Sequence, residues 1–129
     1  MKKHLSAPGL LNVVRQKFSS IPDENTSQKK RERIKLVDCL MSGFAVFSLK
    51  FPSLIKFDEE KISEEVGYNL RSLYKIRRIP SDTCMRERLD IVDSRELRKT
   101  FKAVFTEVQR GKYLKHFEYM DGYYLLSLD

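Results

Sequence analysis

Apolar residues recur at three- and four-residue steps along most of this chain, the spacing of helices with one buried side. Leu10, Leu11, Val14 and Phe18 share one side of an expected helix over residues 10–18. Residues 19–28 are polar and contain Pro22, so they read as a loop, with Thr26 or Ser27 placed to cap the next helix. That helix is expected over residues 28–49, with Ile34, Val37, Met41, Phe44 and Phe47 inward. Its first turns, Lys29-Lys30-Arg31-Glu32-Arg33, put basic charge at the positive end of a helix dipole; an anionic partner or a frayed end would account for that. Pro52 suits the first turn of a helix over residues 53–65, and Gly67 is expected to break it. Residues 69–74 form a short helix with Leu70 and Leu73 inward. Ile76-Arg77-Arg78-Ile79-Pro80 is a connector, because the residue before proline avoids the helical region. Ser81 caps a helix over residues 82–92 that buries Met85, Leu89 and Val92. Asp93 caps the last helix, with Glu96 at the third position of a capping box. There Leu97, Phe101, Val104, Phe105 and Val108 lie on one face and Arg95, Arg98, Lys99 and Lys102 on the other, and Gly111 ends it. Only residues 119–128 read as strand. The expected fold is mainly α: a small multi-helix domain with one C-terminal β-strand.

Composition narrows the function classes. A chain of 129 residues that is 41% hydrophobic and 33% charged can bury one modest core. Its net charge of +7 is unevenly spread. Residues 1–35 carry nine Lys and Arg against three acids, residues 36–68 three against six, and residues 69–102 ten against five. Two basic blocks around an acidic middle favour a polyanionic partner, although solvated charged faces account for part of the pattern. Residues 36–51 are the most apolar stretch, but at 16 residues, with Asp38 and Lys50 inside, they are short of the roughly 20 that a membrane helix needs. No secretory pattern follows Met1-Lys2-Lys3. A cytoplasmic protein with no membrane partner is expected. Cys39 and Cys84 lack the closely spaced ligand partners of a zinc site and read as reduced, buried thiols. His4 and His116 read as surface residues. Asp58-Glu59-Glu60 and Glu64-Glu65 read as solvated helix faces.

The sharpest candidate surface is basic. Arg71, Lys75, Arg77, Arg78, Arg86, Arg88, Arg95, Arg98, Lys99 and Lys102 lie on short helices joined by tight turns. Such a surface attracts phosphates independently of sequence, and an arginine on a helix can reach base edges in a major groove. Residues 69–92 have the outline of a helix–turn–helix, without the usual glycine in the turn. The competing reading is a solvated face with internal pairs, such as Arg86 with Asp90 at four-residue spacing.

Ile79-Pro80-Ser81-Asp82-Thr83-Cys84-Met85-Arg86 with Leu89-Asp90, then residues 95–105 with Leu97-Arg98 and Phe101, then Gln109-Arg110-Gly111-Lys112, and finally Tyr119-Met120-Asp121-Gly122-Tyr123-Tyr124-Leu125-Leu126-Ser127-Leu128-Asp129 occur in that order. Together they resemble the segment leading into the catalytic core of DDE transposases of the insertion-sequence type. The resemblance divides the chain into a helical region over residues 1–65, a basic pre-catalytic region over 66–118, and the first strand of a core over 119–129. It implies that this strand would begin an RNase H-like fold and that Asp129 is the first of three acidic ligands for catalytic Mg²⁺. The family usually continues with Gly-Thr, whereas this sequence stops at the Asp and looks like the front of something longer. One carboxylate cannot build a two-metal site, and Asp121 would lie about 20 Å away at the far end of the same strand. The expectation is therefore a catalytically incomplete fragment, not itself an enzyme and holding no cofactor, that at most binds duplex DNA such as transposon ends and whose orphan strand either frays or pairs with another copy. The alternatives are a small helical protein-interaction module with a basic face, or a remnant without function.

Overall fold

The computed structural model describes residues 3–24 and 33–127. A 3₁₀ turn over Lys3–Leu5 leads into α1 (Ala7–Ser19), followed by α2 (Leu36–Ser48), α3 (Leu54–Glu60), α4 (Glu64–Ser72), α5 (Asp82–Leu89) and α6 (Ser94–Arg110). A second 3₁₀ turn, Tyr113–Phe117, leads to two short strands, β1 (Glu118–Met120) and β2 (Tyr123–Tyr124). The fold is mainly helical, as the periodicity predicts.

Local side chains start most of these helices. The Ser6 hydroxyl accepts the Gly9 N–H at 3.2 Å, and Ser53, Ser63 and Ser81 do the same for Lys56, Val66 and Cys84. The Asp93 carboxylate accepts the Arg95 N–H at 2.9 Å. Each cap satisfies one of the N–H groups that a helix start leaves without an internal partner. Glu96 does not complete the expected capping box by this geometry; its carboxylate takes the Lys99 ammonium at 2.7 Å.

α2 begins at Leu36, later than the sequence pattern suggests, and its cap comes from far away. Lys35, the flanking residue, offers no side-chain bond, and Asp23 Oδ2 accepts the Leu36 N–H at 3.1 Å. The expected caps Thr26 and Ser27 and the basic run from Lys29 to Arg31 lie outside the described residues. Arg33 is described, is not helical, and lies 3.7 Å from Asp23.

The helix expected over residues 53–65 is two helices. α3 stops at Glu60 and Ser63 starts α4, which runs straight through Gly67. Gly67 is buried rather than a breaker. A Cβ there would sit 3.1 Å from the Lys61 carbonyl oxygen, so the missing side chain lets α4 lie close against the end of α3. In the C-terminal segment, Asp121-Gly122 is the turn of a hairpin and not the middle of a strand. Gly122 has φ +85°, Glu118 pairs with Tyr124 and Met120 with Tyr123. Asp-Gly is a favoured hairpin turn because it tolerates positive φ.

α2 is the central element. Leu36, Cys39, Leu40, Met41, Ala45 and Val46 are buried around most of its circumference, which a single amphipathic stripe does not predict. α5 packs on it through Met85 and Leu89, close to Gly43. α1 adds Val14 and Phe18, α3 adds Phe57, and α4 and its following turn add Leu70, Tyr74 and Ile76. Residues 1–65 and 66–118 thus contribute to one shared core. Leu73 and Phe47, expected inside, are exposed. The Val46 and Ala45 side of α2 carries the contact instead.

One buried ion pair locks the arrangement. Arg88 on α5 is only 4% exposed, and its Nη2 donates to both oxygens of Asp23 at 2.7 and 2.8 Å and to the Ile34 carbonyl at 3.3 Å. Its Nε and Nη1 are buried without an acceptor, so Asp23 carries most of the compensation for this charge. Burial pushes the Asp23 carboxyl up, but the Arg88 hydrogen bond, the Leu36 N–H and the charges of Arg88 and Arg33 outweigh it and leave it below the usual carboxylate range. Burial, with Cys84 beside it, pushes the Cys39 thiol up to about 12, so it stays protonated. Cys84, expected to be buried as well, is only partly so.

Two outcomes are expected from this architecture. Asp23→Ala strands a buried guanidinium and should cost about 3 kcal/mol in urea denaturation, whereas Arg88→Met leaves a carboxylate that can turn to water and should cost about 1 kcal/mol. Because the folded-state pKa of Asp23 is lowered, its stabilisation is complete above the unfolded value of 3.8 and is lost as pH falls towards the folded one. Denaturation midpoints between pH 5 and pH 2 should therefore fall less steeply for Asp23→Asn; an unchanged slope refutes the linkage. Separately, α2 ends in a Schellman motif: the Phe51 N–H donates to Val46 O at 2.9 Å and the Lys50 N–H to Phe47 O at 3.1 Å, with Lys50 at φ +58°. Glycine suits that conformation, so Lys50→Gly should raise stability by about 0.5–1 kcal/mol, measured by the same denaturation.

Candidate nucleic-acid interface

The basic residues singled out by sequence do not share one fate. Arg71, Lys75, Arg77, Arg78, Arg86, Arg95, Arg98, Lys99 and Lys102 are exposed. Arg88 is not, and it must be removed from any DNA-binding surface: its guanidinium is held inside by Asp23. Asp129, the acid implied by resemblance, lies outside the described residues. Asp121 sits in the exposed hairpin turn.

The connector before Pro80 is anchored through its backbone. Asp38 on α2 is 2% exposed, and its two oxygens accept the N–H groups of Arg77 and Arg78 at 3.4 and 3.3 Å. Arg15 Nη1 of α1 approaches the same carboxylate at 3.7 Å. One buried acid therefore fixes the turn, while the Arg77 and Arg78 side chains stay outside. Lys61 Nζ adds a bond to the Pro80 carbonyl at 3.0 Å.

Arg71, Arg77, Arg78, Arg86, Arg95 and Arg98 line neither of two grooves at the seam where α1 lies on α6, whereas Lys75, Lys99 and Lys102 do. A groove of about 420 Å³ there is lined by Gln16 and Lys17 of α1 and by Lys99, Lys102, Thr106 and Arg110 of α6, with Glu107 as its acid. Across Gln16 it adjoins a second groove of about 370 Å³, lined by Asn12, Arg15, Ser19 and Lys75. Lys75 reaches this side from the turn after α4, at φ +53°. The α1 contribution, Lys17 with Arg15, and Arg110 at the end of α6 were not singled out by the sequence pattern. The signal was present as the positive charge of residues 1–35, but nothing in it tied α1 to α6.

Carboxylates are mostly engaged elsewhere. Asp23, Glu24, Asp93 and Glu96 line a cleft of about 260 Å³. Asp23 is taken by Arg88 and Leu36, and Glu96 by Lys99. Asp93 caps α6 and pairs with Arg95, whose hydrogen bond and the Arg95 N–H hold its carboxyl below the usual range. Among the described residues, no three His, Cys, Asp or Glu side chains converge as metal ligands. No described helix is long and apolar enough to cross a membrane. The site and fold define a small helical protein with a grooved basic face. Comparison with protein-family models, curated proteins and solved structures gives no match to this chain.

If Asp38 anchors the connector, Asp38→Ala should cost about 2–3 kcal/mol by leaving the partly buried Arg77 and Arg78 N–H groups without their acceptor and Arg15 without its counter-charge. Amide exchange at Arg77 and Arg78 should accelerate more than elsewhere in the chain; uniform acceleration would contradict this local role.

Proposed function

We propose that this protein binds duplex DNA through the α1–α6 seam and does not itself cut it. The carrying observation is the continuous basic groove from Lys75 and Arg15 across Gln16 to Lys17, Lys99, Lys102 and Arg110. Long cationic side chains lining two shallow, adjoining grooves suit a phosphate backbone, where affinity comes from counterion release and needs no base contact. Arg77 and Arg78 extend the surface from an anchored turn, and Arg98 continues it along α6. Arg86 is the residue proposed to influence sequence preference.

The resemblance of residues 79–129 to the approach to a DDE transposase core supports the same reading and gives the DNA a class, namely transposon ends. On that reading the chain is the DNA-binding N-terminal portion of such a protein, with Asp129 as one ligand of a Mg²⁺ site whose other acids this sequence does not supply. Its cellular location would be the cytoplasm. A second reading, a protein-interaction module, is favoured by a different feature: Phe47 and Phe101 stand 82% and 52% exposed around an apolar groove.

Fluorescence anisotropy with labelled duplex DNA over a range of salt concentrations tests the proposal. Binding should weaken steeply with salt. Lys17→Ala with Lys102→Ala should flatten the log–log slope by about 2, at roughly 0.9 per phosphate contact. Arg88→Met should leave the slope unchanged. No binding at low ionic strength, or a slope insensitive to the double substitution, overturns it.

A further inference from the structure

The apolar groove lies on the other flank of α6. Phe18, Leu40, Phe44, Phe47, Leu89 and Phe101 line about 250 Å³, with almost no polar surface. Ligand sites for small molecules usually enclose about 300–1,000 Å³ and offer a few convergent polar groups. This groove is smaller and offers none, so it suits one or two apolar side chains of a polypeptide. Its open edge belongs to α6, where Arg98 stands one turn before Phe101 and Lys102 stands next to it.

The same chain exposes a segment of matching chemistry. Tyr123, Leu125 and Leu126 are exposed, Leu126 by 88%. Among the described residues, β2 pairs with β1 on one side only, and residues 125–127 continue it without a partner strand. Residues 117–127 carry Glu118 and Asp121 and no Lys or Arg. An apolar, acidic extended segment thus complements an apolar groove with a basic rim.

We propose that this groove receives residues 123–126 of a second copy of the chain, reciprocally, in a two-fold dimer. A two-fold operation uses groove and segment once from each copy, so neither is left over. An aromatic side chain buries about 150–250 Å². Two seated side chains from each segment, with the groove surface they cover counted as well, therefore reach the roughly 1,000 Å² that a specific interface requires. Arg98 and Lys102 are shared with the proposed DNA surface, but the dimer does not require DNA binding, its test variants leave both residues unchanged, and its measurement needs no nucleic acid.

Sedimentation velocity of the full chain across a concentration series provides the test. The expected result is a species of twice the 15.2 kDa chain mass that dissociates on dilution. Phe47→Glu and the double substitution Leu125→Glu/Leu126→Glu affect side chains outside the core, so each variant should keep its helical circular dichroism and become monomeric. Mixing the two monomeric variants should restore a weaker dimer through the one intact groove and one intact segment. A photo-crosslinking residue at position 126, in a mixture of ¹⁴N- and ¹⁵N-labelled chains, should join the segment of one copy to groove peptides of the other. A protein that is monomeric at all concentrations, a dimer that survives both sets of substitutions, or crosslinks confined to one copy overturns the proposal.

Discussion

Arg88 can sit in the interior only because Asp23 meets it there, and much of the packing depends on that meeting. A guanidinium removed from water at an unpaired site would cost several kcal/mol. Asp23 offsets this with two short bonds and also caps α2 through the Leu36 N–H. The loop after α1, the start of α2 and the inner side of α5 are thereby tied at one carboxylate. Because α5 lies across α2, the position of the central helix is set by charge at its start and by apolar packing along its length. The pair contributes little net energy compared with the apolar core, and what it supplies is a fixed junction between the start of α2 and the inner side of α5.

The same logic shapes the surface. Asp38 is the second internal acid, spent on the connector and on Arg15. Asp93 and Glu96 are spent on Arg95 and Lys99, next to the cap of α6. Two cations of the grooves are themselves held by these acids, Arg15 by Asp38 and Lys99 by Glu96, so the positive field of the α1–α6 seam rests mainly on Lys17, Lys75, Lys102 and Arg110. The buried carboxylates and the exposed basic face are two consequences of one distribution of charge.

What was legible in the sequence was local. Ser81 and Asp93 are caps whose partners lie two or three residues away, and a spacing rule finds them. Ser63 obeyed the same rule, yet Gly67 drew attention as a breaker, and the split between α3 and α4 was missed. The Asp-Gly turn was legible too, but the apolar run after it suggested one continuous strand. Asp23 was out of reach, since it meets Arg88 across 65 positions and no local pattern encodes that pairing. Arg88 itself left a readable trace. It lies three residues after Met85 and four before Val92, on the apolar side of its helix, whereas Arg86 does not. A basic residue on a buried face predicts an internal acid rather than a surface cation.

α6 shows how one helix supports two surfaces. Thr100, 1% exposed, and half-buried Val104 face the packed side. Turning one way from that line, 3.6 residues per turn brings Ala103, Lys99 and Arg110 to the seam with α1; turning the other way brings Leu97, Phe101 and Phe105 to the apolar groove. Lys102 and Arg98 stand between the two on the outer side. The Phe44 ring lies 6.4 Å from that of Phe101, so α2 borders only the near edge of the apolar flank and leaves Phe105 exposed. Phe101 packs one side of its ring on Phe44 and leaves the other open, and Phe105 adds apolar surface beside it, so the exposed apolar area on this flank is contiguous rather than scattered. Phenylalanines at these positions make this flank the exposed apolar surface on which the proposed dimer would rest, on the side of α6 turned away from the basic seam.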